Sequence, residues 1–448
     1  MKYKNKLFWL AIYGILFAFL QRYFQYHFYF VEQNQLFQNT WSYIAENLFH
    51  PGGFALASSE FLVQFFLLPY LGAGISSALL TGIGWLTYSI VKRIALRANL
   101  LIACLLPLIS LMLIHFDTDY LLSGTIAFLL MLIVLFFILA IKDFTWRLIA
   151  HLLATAILFY LAGSICMLYA LSATVYELVN KSARSYLVLF VLLETLLIGV
   201  CSVYFSMYGA YQFIFLPDDY YYFETEPRIA IYFSWISFLI IILLACFYRN
   251  RQNVSQRKWL AENVVQFLLV MVLCWWGIPR YGNLQSALSK ELDYYSRTEQ
   301  WDKILKLCKR QPLMKKSHIR YVNIALGHKG ELGDQMFSYH QEGSEGILMP
   351  WNQSAYASIL LSDAYFVMNH IALSQRMAFE GFVCNNNPRM LKRLIQTNLI
   401  FGTYPVAEKY LDVLENTVCY RNWAKAHRKY LYNDDEIEKD SLLMRIKS

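Results

Sequence analysis

Residues 23–50 and 206–227 contain no Lys or Arg, and they carry the side chains best placed to do chemistry. The first stretch runs out of an apolar segment through seven Tyr, Phe and His residues into Glu32, Gln33 and Gln35, and ends at His50. The second holds Asp218 and Asp219 within LPDDYYYFETE. A carboxylate held where apolar sequence ends is suited to act as a general base toward an acceptor hydroxyl, which singles out Glu32. Gln33, Gln35, His50, Asp218 and Asp219 would then be binding contacts to a polar donor or its metal. The plainer reading of Asp218 and Asp219 is an acidic, aromatic loop in water. No cofactor is indicated. The eight cysteines stand singly at 104, 166, 201, 246, 274, 308, 384 and 419, without metal-type spacing. HExxH, P-loop, GxSxG and GxGxxG patterns are all missing from the sequence.

The distribution of charge shows what must position these residues. The chain of 448 residues is 58% apolar and 16% charged, against about 25% charged in an ordinary water-soluble domain. Residues 1–278 hold 16 Lys/Arg and 13 Asp/Glu, whereas the shorter remainder holds 23 and 18. Two solvents are implied, with lipid around residues 1–278 and water around residues 279–448. A net charge of +8, spread over both parts with no basic run interleaved with aromatics, argues against nucleic acid as a partner.

About nine apolar segments lie in the first part, most of them near the roughly 17–25 residues that a membrane-crossing helix needs. The first, after MKYKNK, lacks a small-x-small cleavage site and reads as a retained span. Two runs are ambiguous, one at Pro69–Gly72 and one at 147–178 around Gly163. Nine spans result if one of the two is a pair, and the basic clusters favour the break at Gly163. Lys2, Lys4 and Lys6 precede the first span, while Arg249, Arg251, Arg257 and Lys258 separate the last two. The Lys/Arg bias places these groups in the cytoplasm and residues 23–50 and 206–227 outside. With nine spans the C-terminal part is periplasmic; with ten it is cytoplasmic.

The aromatic ladder Tyr23–Phe30 falls where the first helix leaves hydrocarbon, the place where rings with polar edges collect. Leu36, Phe37, Trp41, Ile44 and Leu48 then recur at helical spacing, which predicts a surface helix ending before His50-Pro51-Gly52-Gly53. Glu194 lies mid-segment and reads as a helix-packing residue sooner than as a proton or substrate contact. Glu60 and Glu177 read as interfacial.

Residues 284–430 show helical periods and almost no β-type alternation. Four helix openings come after a polar or Gly turn, at Trp301, Leu332, Ile371 and Tyr404, spaced by 31, 39 and 33 residues. Gly402, Tyr404, Ala407 and Tyr410 keep the order of a tetratricopeptide turn and second helix: Gly for the turn, an aromatic in the gap, Ala for close approach. The fold expected is all-α, a polytopic helical membrane domain followed by a tetratricopeptide-like α-helical repeat domain.

Several phrases make the chain resemble a family of bacterial membrane proteins of unknown function found mainly in Bacteroidales-type organisms. They are YFVEQNQLFQNT, HPGGF with FLVQFFLLPYLGA, YLAGS followed by YEL, and LKRLIQTNLIFGTYPVAEKYL with CYRNWA. The resemblance covers nearly the whole chain and implies a multi-span half joined to tetratricopeptide-like repeats. It supplies no activity. Two functions stay open: an inner-membrane protein whose periplasmic repeats bind a protein or peptide partner, and a membrane glycosyltransferase using a lipid-linked sugar, with Glu32 as its base.

Overall fold

A computed structural model describes residues 2–180, 184–205, 207–222, 227–249, 255–282, 284–310, 315–341, 343–440 and 443. Lys181, Arg251, Pro312, residues 223–226 and the terminal RIKS lie outside the described residues. The described chain is all helical; its nearest approach to a strand is a single bridge between Tyr120 and Tyr221. It divides into two compact units.

The first unit comprises Met1–Gln25, Ile44–Leu62 and Tyr70–Asn283. Its helices are drawn from α1 (Lys2–Glu32), α2 (Trp41–Leu48), α3 (Gly53–Val63), α4 (Leu71–Ile94), α5 (Leu105–Ile114) and α6 (Ser123–Ile138). They continue with α7 (Phe144–Ala162), α8 (Ile165–Asn180), α9 (Leu189–Tyr204), α10 (Gln212–Phe215), α11 (Ile229–Tyr248) and α12 (Gln256–Tyr281). Among the described residues six helices are long and apolar enough to cross a membrane: Asn5–Glu32, Leu71–Ile94, Phe144–Ala162, Ser185–Tyr204, Ile229–Tyr248 and Gln256–Tyr281. Four apolar helices of this part are shorter: Gly53–Leu67, Leu105–Ile114, Ser123–Ile138 and Ile165–Val179.

Both ambiguous runs are broken, and with four of the apolar helices shorter than a full span the count of segments, nine or ten, does not by itself set the side of the C-terminal part. Gly163, at φ +73°, ends α7, and Tyr70, at φ +69° after Pro69, separates the short helix from α4. Apolar side chains such as Leu193, Leu197, Leu268 and Val272 stay exposed on α9 and α12, a surface compatible with a bilayer. Inside the unit, Arg147 on α7 pairs with Glu177 on α8, with Nη2 2.9 Å from Oε2. Glu177 is therefore a buried ion-pair partner. Glu194 keeps one buried carboxylate oxygen, Oε2, without a hydrogen-bond partner among the described residues.

The second unit comprises Tyr26–Tyr43, Val63–Pro69 and Leu284–Ser448. Its longer C-terminal portion contains α13 (Leu284–Arg297), α14 (Trp301–Arg310), α15 (Lys316–Lys329), α16 (Leu332–Gln335) and α17 (Ala355–Val367). It ends with α18 (Ile371–Asn385), α19 (Pro388–Ile400), α20 (Tyr404–Glu415), α21 (Arg421–His427) and α22 (Asp434–Lys439). Trp301, Leu332, Ile371 and Tyr404 are each the first residue of a helix. Successive helices pack as neighbours from α17 through α21, and α13, α15 and α17 also touch one another in turn. The helix opened by Leu332 is a single turn.

Residues 26–43 are integral to this unit. Leu36 joins a core with Leu391, Ile395, Leu399, Leu411 and Leu414. Tyr29 stacks on Tyr294 with ring centroids 4.7 Å apart, and the Tyr26 and Tyr295 hydroxyls are 2.9 Å apart. This part of the aromatic ladder is accordingly packed against protein, and only its first residue, Tyr23, is broadly exposed. The expected helix over Leu36–Leu48 is also shorter, Trp41–Leu48. Leu36 and Phe37 are buried in a non-helical lead-in, the Asn39 N–H donates to the Asn416 carbonyl, and Thr40 Oγ1 accepts from the Tyr43 N–H at the helix start.

Candidate functional site: a cationic pocket in the second unit

The pocket begins with how α19 starts. Asn387 accepts hydrogen bonds from the backbone N–H groups of Arg389 and Met390, and Pro388 occupies the first helical position, which fixes the register of the remaining turns. Arg389, Lys392, Arg393 and Gln396 then recur at steps of three, four and seven and so share one face. The opposite face, with Met390, Leu391, Leu394 and Ile395, is buried in apolar cores. Opposite the basic stripe, α13 supplies Ser296 and Arg297, its exit turn Glu299, α14 Trp301, α15 His328, and α17 Asp363 and Phe366. Gln33 and Tyr420 complete the wall of a cavity of about 90 Å³.

Each guanidinium is held by a carboxylate on one side. Arg389 bridges Asp293, at 2.8 Å, and Asp363, and also reaches Ser296 Oγ at 3.1 Å. Arg393 donates from Nη2 to Asp363 at 3.0 Å and from Nη1 to Gln396 at 3.1 Å, with its guanidinium 3.5 Å above the Phe366 ring. Arg297 donates from Nη1 to Glu32 Oε2 at 3.2 Å. Lys392 differs. Its ammonium lies over the rings of Tyr420 and Trp423, 4.8 and 4.9 Å from their centroids, and meets no carboxylate within ion-pair distance among the described residues. Burial, followed by repulsion from Arg297, lowers its pKa to about 8.

Glu32 stands one layer behind the wall. It is 1% exposed. Tyr420 donates to its Oε1 at 2.7 Å, while Gln33 Nε2 donates to its Oε2 and to the Tyr420 hydroxyl. Both carboxylate oxygens are thus engaged in orienting Arg297, Tyr420 and Gln33. The Gln33 side-chain oxygen and both polar atoms of the buried Gln35 side chain have no partner among the described residues.

The other sequence-predicted residues fall in the first unit. His50 is exposed, and no hydrogen bond joins it to either aspartate among the described residues. Asp218 accepts from the Tyr232 hydroxyl at 3.0 Å, and Asp219 from the Tyr208 hydroxyl at 3.2 Å, so the two carboxyls serve different partners. Asp219 fits against Gly163, where a Cβ would come within 2.4 Å of its Oδ2, and close to Gly52. The phrases HPGGF, YLAGS and LPDDYYY therefore converge on one carboxyl, whose pKa burial raises to about 7.

Gly402 has φ +68° at the turn before α20, Ala407 is fully buried, Tyr410 meets Phe382 edge to face, and the Tyr404 hydroxyl donates to Asp434 at 2.7 Å. Trp301 stacks on His328 with centroids 4.2 Å apart. Sequence reasoning missed Arg389, Lys392, Arg393, Asp363 and Arg297. The signal for α19 was present as basic residues three and four apart in PRMLKRLIQ, whereas nothing local ties Arg297 or Asp363 to it.

The chain belongs to the family of unknown function DUF6057, whose model matches residues 1–448. Neither a curated protein nor a solved structure matches it.

Proposed function

We propose that this is an integral inner-membrane protein of a bacterium whose tetratricopeptide-like C-terminal repeats form a binding module on the periplasmic side. The observation that carries the reading is the pocket itself. Four long cationic side chains and three aromatic rings gather around a cavity between helices, each guanidinium braced by a carboxylate, an arrangement suited to holding a ligand group more than to filling a core.

The periplasmic assignment is supported by residues 26–43. They lie in the Lys- and Arg-free stretch that the positive-inside bias puts outside, and they belong to the same compact unit as residues 284–448. An alkaline phosphatase fused after residue 440 is active on this reading, and an inactive fusion with a fluorescent cytosolic counterpart reverses it. For binding, a photo-crosslinking amino acid placed at the exposed Glu299 position captures a ligand in cells, and Arg393→Ala abolishes the adduct. An adduct that forms equally in the variant, or none at all, removes the module.

A second reading, a glycosyltransferase using a lipid-linked sugar with Glu32 as base, is favoured by one observation: Glu32 sits directly behind cations of the kind that hold phosphates. Gln33 and Gln35, in the same unit as Glu32, are its candidate binding residues. A Glu32→Gln strain whose glycans and lipid-linked sugars are unchanged eliminates it.

A further inference from the structure

Three side chains on the pocket wall have hydrogen-bonding capacity that the protein leaves unused. Arg297 spends Nη1 on Glu32, while Nε and Nη2, the two nitrogens of the guanidinium's side-on edge, are buried with no acceptor among the described residues. Arg393 spends Nη1 and Nη2 on Gln396 and Asp363 and leaves Nε buried and unpartnered among those residues. Lys392 has only ring faces beneath its ammonium. A buried guanidinium edge without an acceptor is costly to keep, so it marks a place where an acceptor belongs.

The arrangement of these donors says which acceptor. One planar guanidinium edge already satisfies a carboxylate, whereas donors spread over three side chains suit the three outward oxygens of a phosphate ester. Net charge does not make this argument. Glu32 and Asp293 behind the wall, with Asp363 and Glu299 on it, offset Arg297, Arg389, Lys392 and Arg393. What selects the ligand is the number of free N–H groups, on arginines whose other nitrogens Glu32 and Asp363 hold in place. At the mouth, Glu299 provides an exposed acceptor and Trp301, stacked on His328, a flat rigid face. Hydroxyls and an apolar ring face are what a sugar would present there.

We propose that the pocket is a phosphate-ester site, in which Arg297, Lys392 and Arg393 hold the phosphoryl group and the Trp301–Glu299 mouth receives the sugar or glycerol attached to it. The assignment rests on the binding-module reading and names its ligand class. The same phosphate chemistry reaches such a pocket from a free sugar phosphate or from a phospholipid headgroup.

The test uses the full chain in detergent and phosphate-free buffer, titrated calorimetrically with glucose 1-phosphate, with glucose, and with phosphatidylglycerol in mixed micelles. Either phosphate ester binds and glucose does not. Arg297→Lys, which keeps the charge and loses the fork, and Lys392→Met, which keeps the stem, each weaken binding by about tenfold or more. Unchanged gel-filtration profiles and melting temperatures in the two variants show that the loss is local. Glucose 1-phosphate alone identifies a free ligand, and phosphatidylglycerol alone a lipid one. Absence of binding in both arms, or binding that the two substitutions leave intact, overturns the proposal. If the Glu299-position crosslink still forms in that case, the module stands and only its ligand class is wrong.

Discussion

At the scale of single residues, Glu32, Lys392 and Asp219 are each defined by what surrounds them. Because Glu32 balances Arg297 in a buried, three-partner network, Glu32→Ala leaves a guanidinium uncompensated and costs about 3–5 kcal/mol, read as a lowered melting temperature of the detergent-solubilised chain. Glu32→Gln keeps the shape and part of the hydrogen bonding, and loses less. Lys392 feels the charges of Arg297, Glu32 and Glu299, and is packed by Tyr420, Trp423 and His427 from the segment around α21. With its pKa lowered to about 8, it gives up its proton above that pH, so phosphate-ester affinity falls between about pH 8 and 9. Lys392→Met removes that inflection. Asp219 has the opposite sign of linkage. Its folded pKa of about 7 lies above the ordinary 3.8, so the folded state retains a proton that the unfolded state has lost. The resulting stability is present below about pH 4 and disappears as pH rises to about 7. Asp219→Asn flattens the melting temperature across that window and raises it at neutral pH.

At the scale of elements, two backbone features set where helices begin and end. Gly163→Ala places a Cβ in a left-handed conformation and against Asp219 Oδ2, and costs more than about 1 kcal/mol, measurable as a lower melting temperature. The break at Gly163 was legible because Gly interrupts an otherwise continuous apolar run. The helix openings at Trp301, Leu332, Ile371 and Tyr404 were legible because a polar or Gly turn precedes each of them. The pocket was not. Its basic stripe on α19 reads locally as a solvated face, and only the partners brought by α13 and α17, 96 and 26 residues away from Arg389, convert it into a wall. Glu32 was singled out for its position at the edge of apolar sequence; its burial depends on Tyr420, 388 residues further along, which no local pattern reveals.

At the scale of the whole molecule, the helical content and the apolar character of the first unit were evident from composition and periodicity, because both are sums over many residues. The assignment of residues 26–43 and 63–69 to the second unit was not, since it rests on long-range pairings such as Asn34 with Asn385 and the Cys419 thiol with the Gln64 carbonyl. A fragment of residues 284–448 therefore lacks the Leu36 contribution to its core. Expressed alone, it binds the dye ANS and melts lower than the same fragment supplied with a peptide spanning residues 26–43.

Such a discontinuous unit also constrains the order of events during synthesis. Residues 26–43 are made about 240 residues before Leu284 emerges, and at roughly 5–20 residues per second the ribosome needs some 12–50 seconds to bring the later partners out. During that interval Leu36, Phe37 and the Glu32 carboxylate wait without their companions, so biogenesis requires either a chaperone that shelters them or a late docking step slower than translation itself.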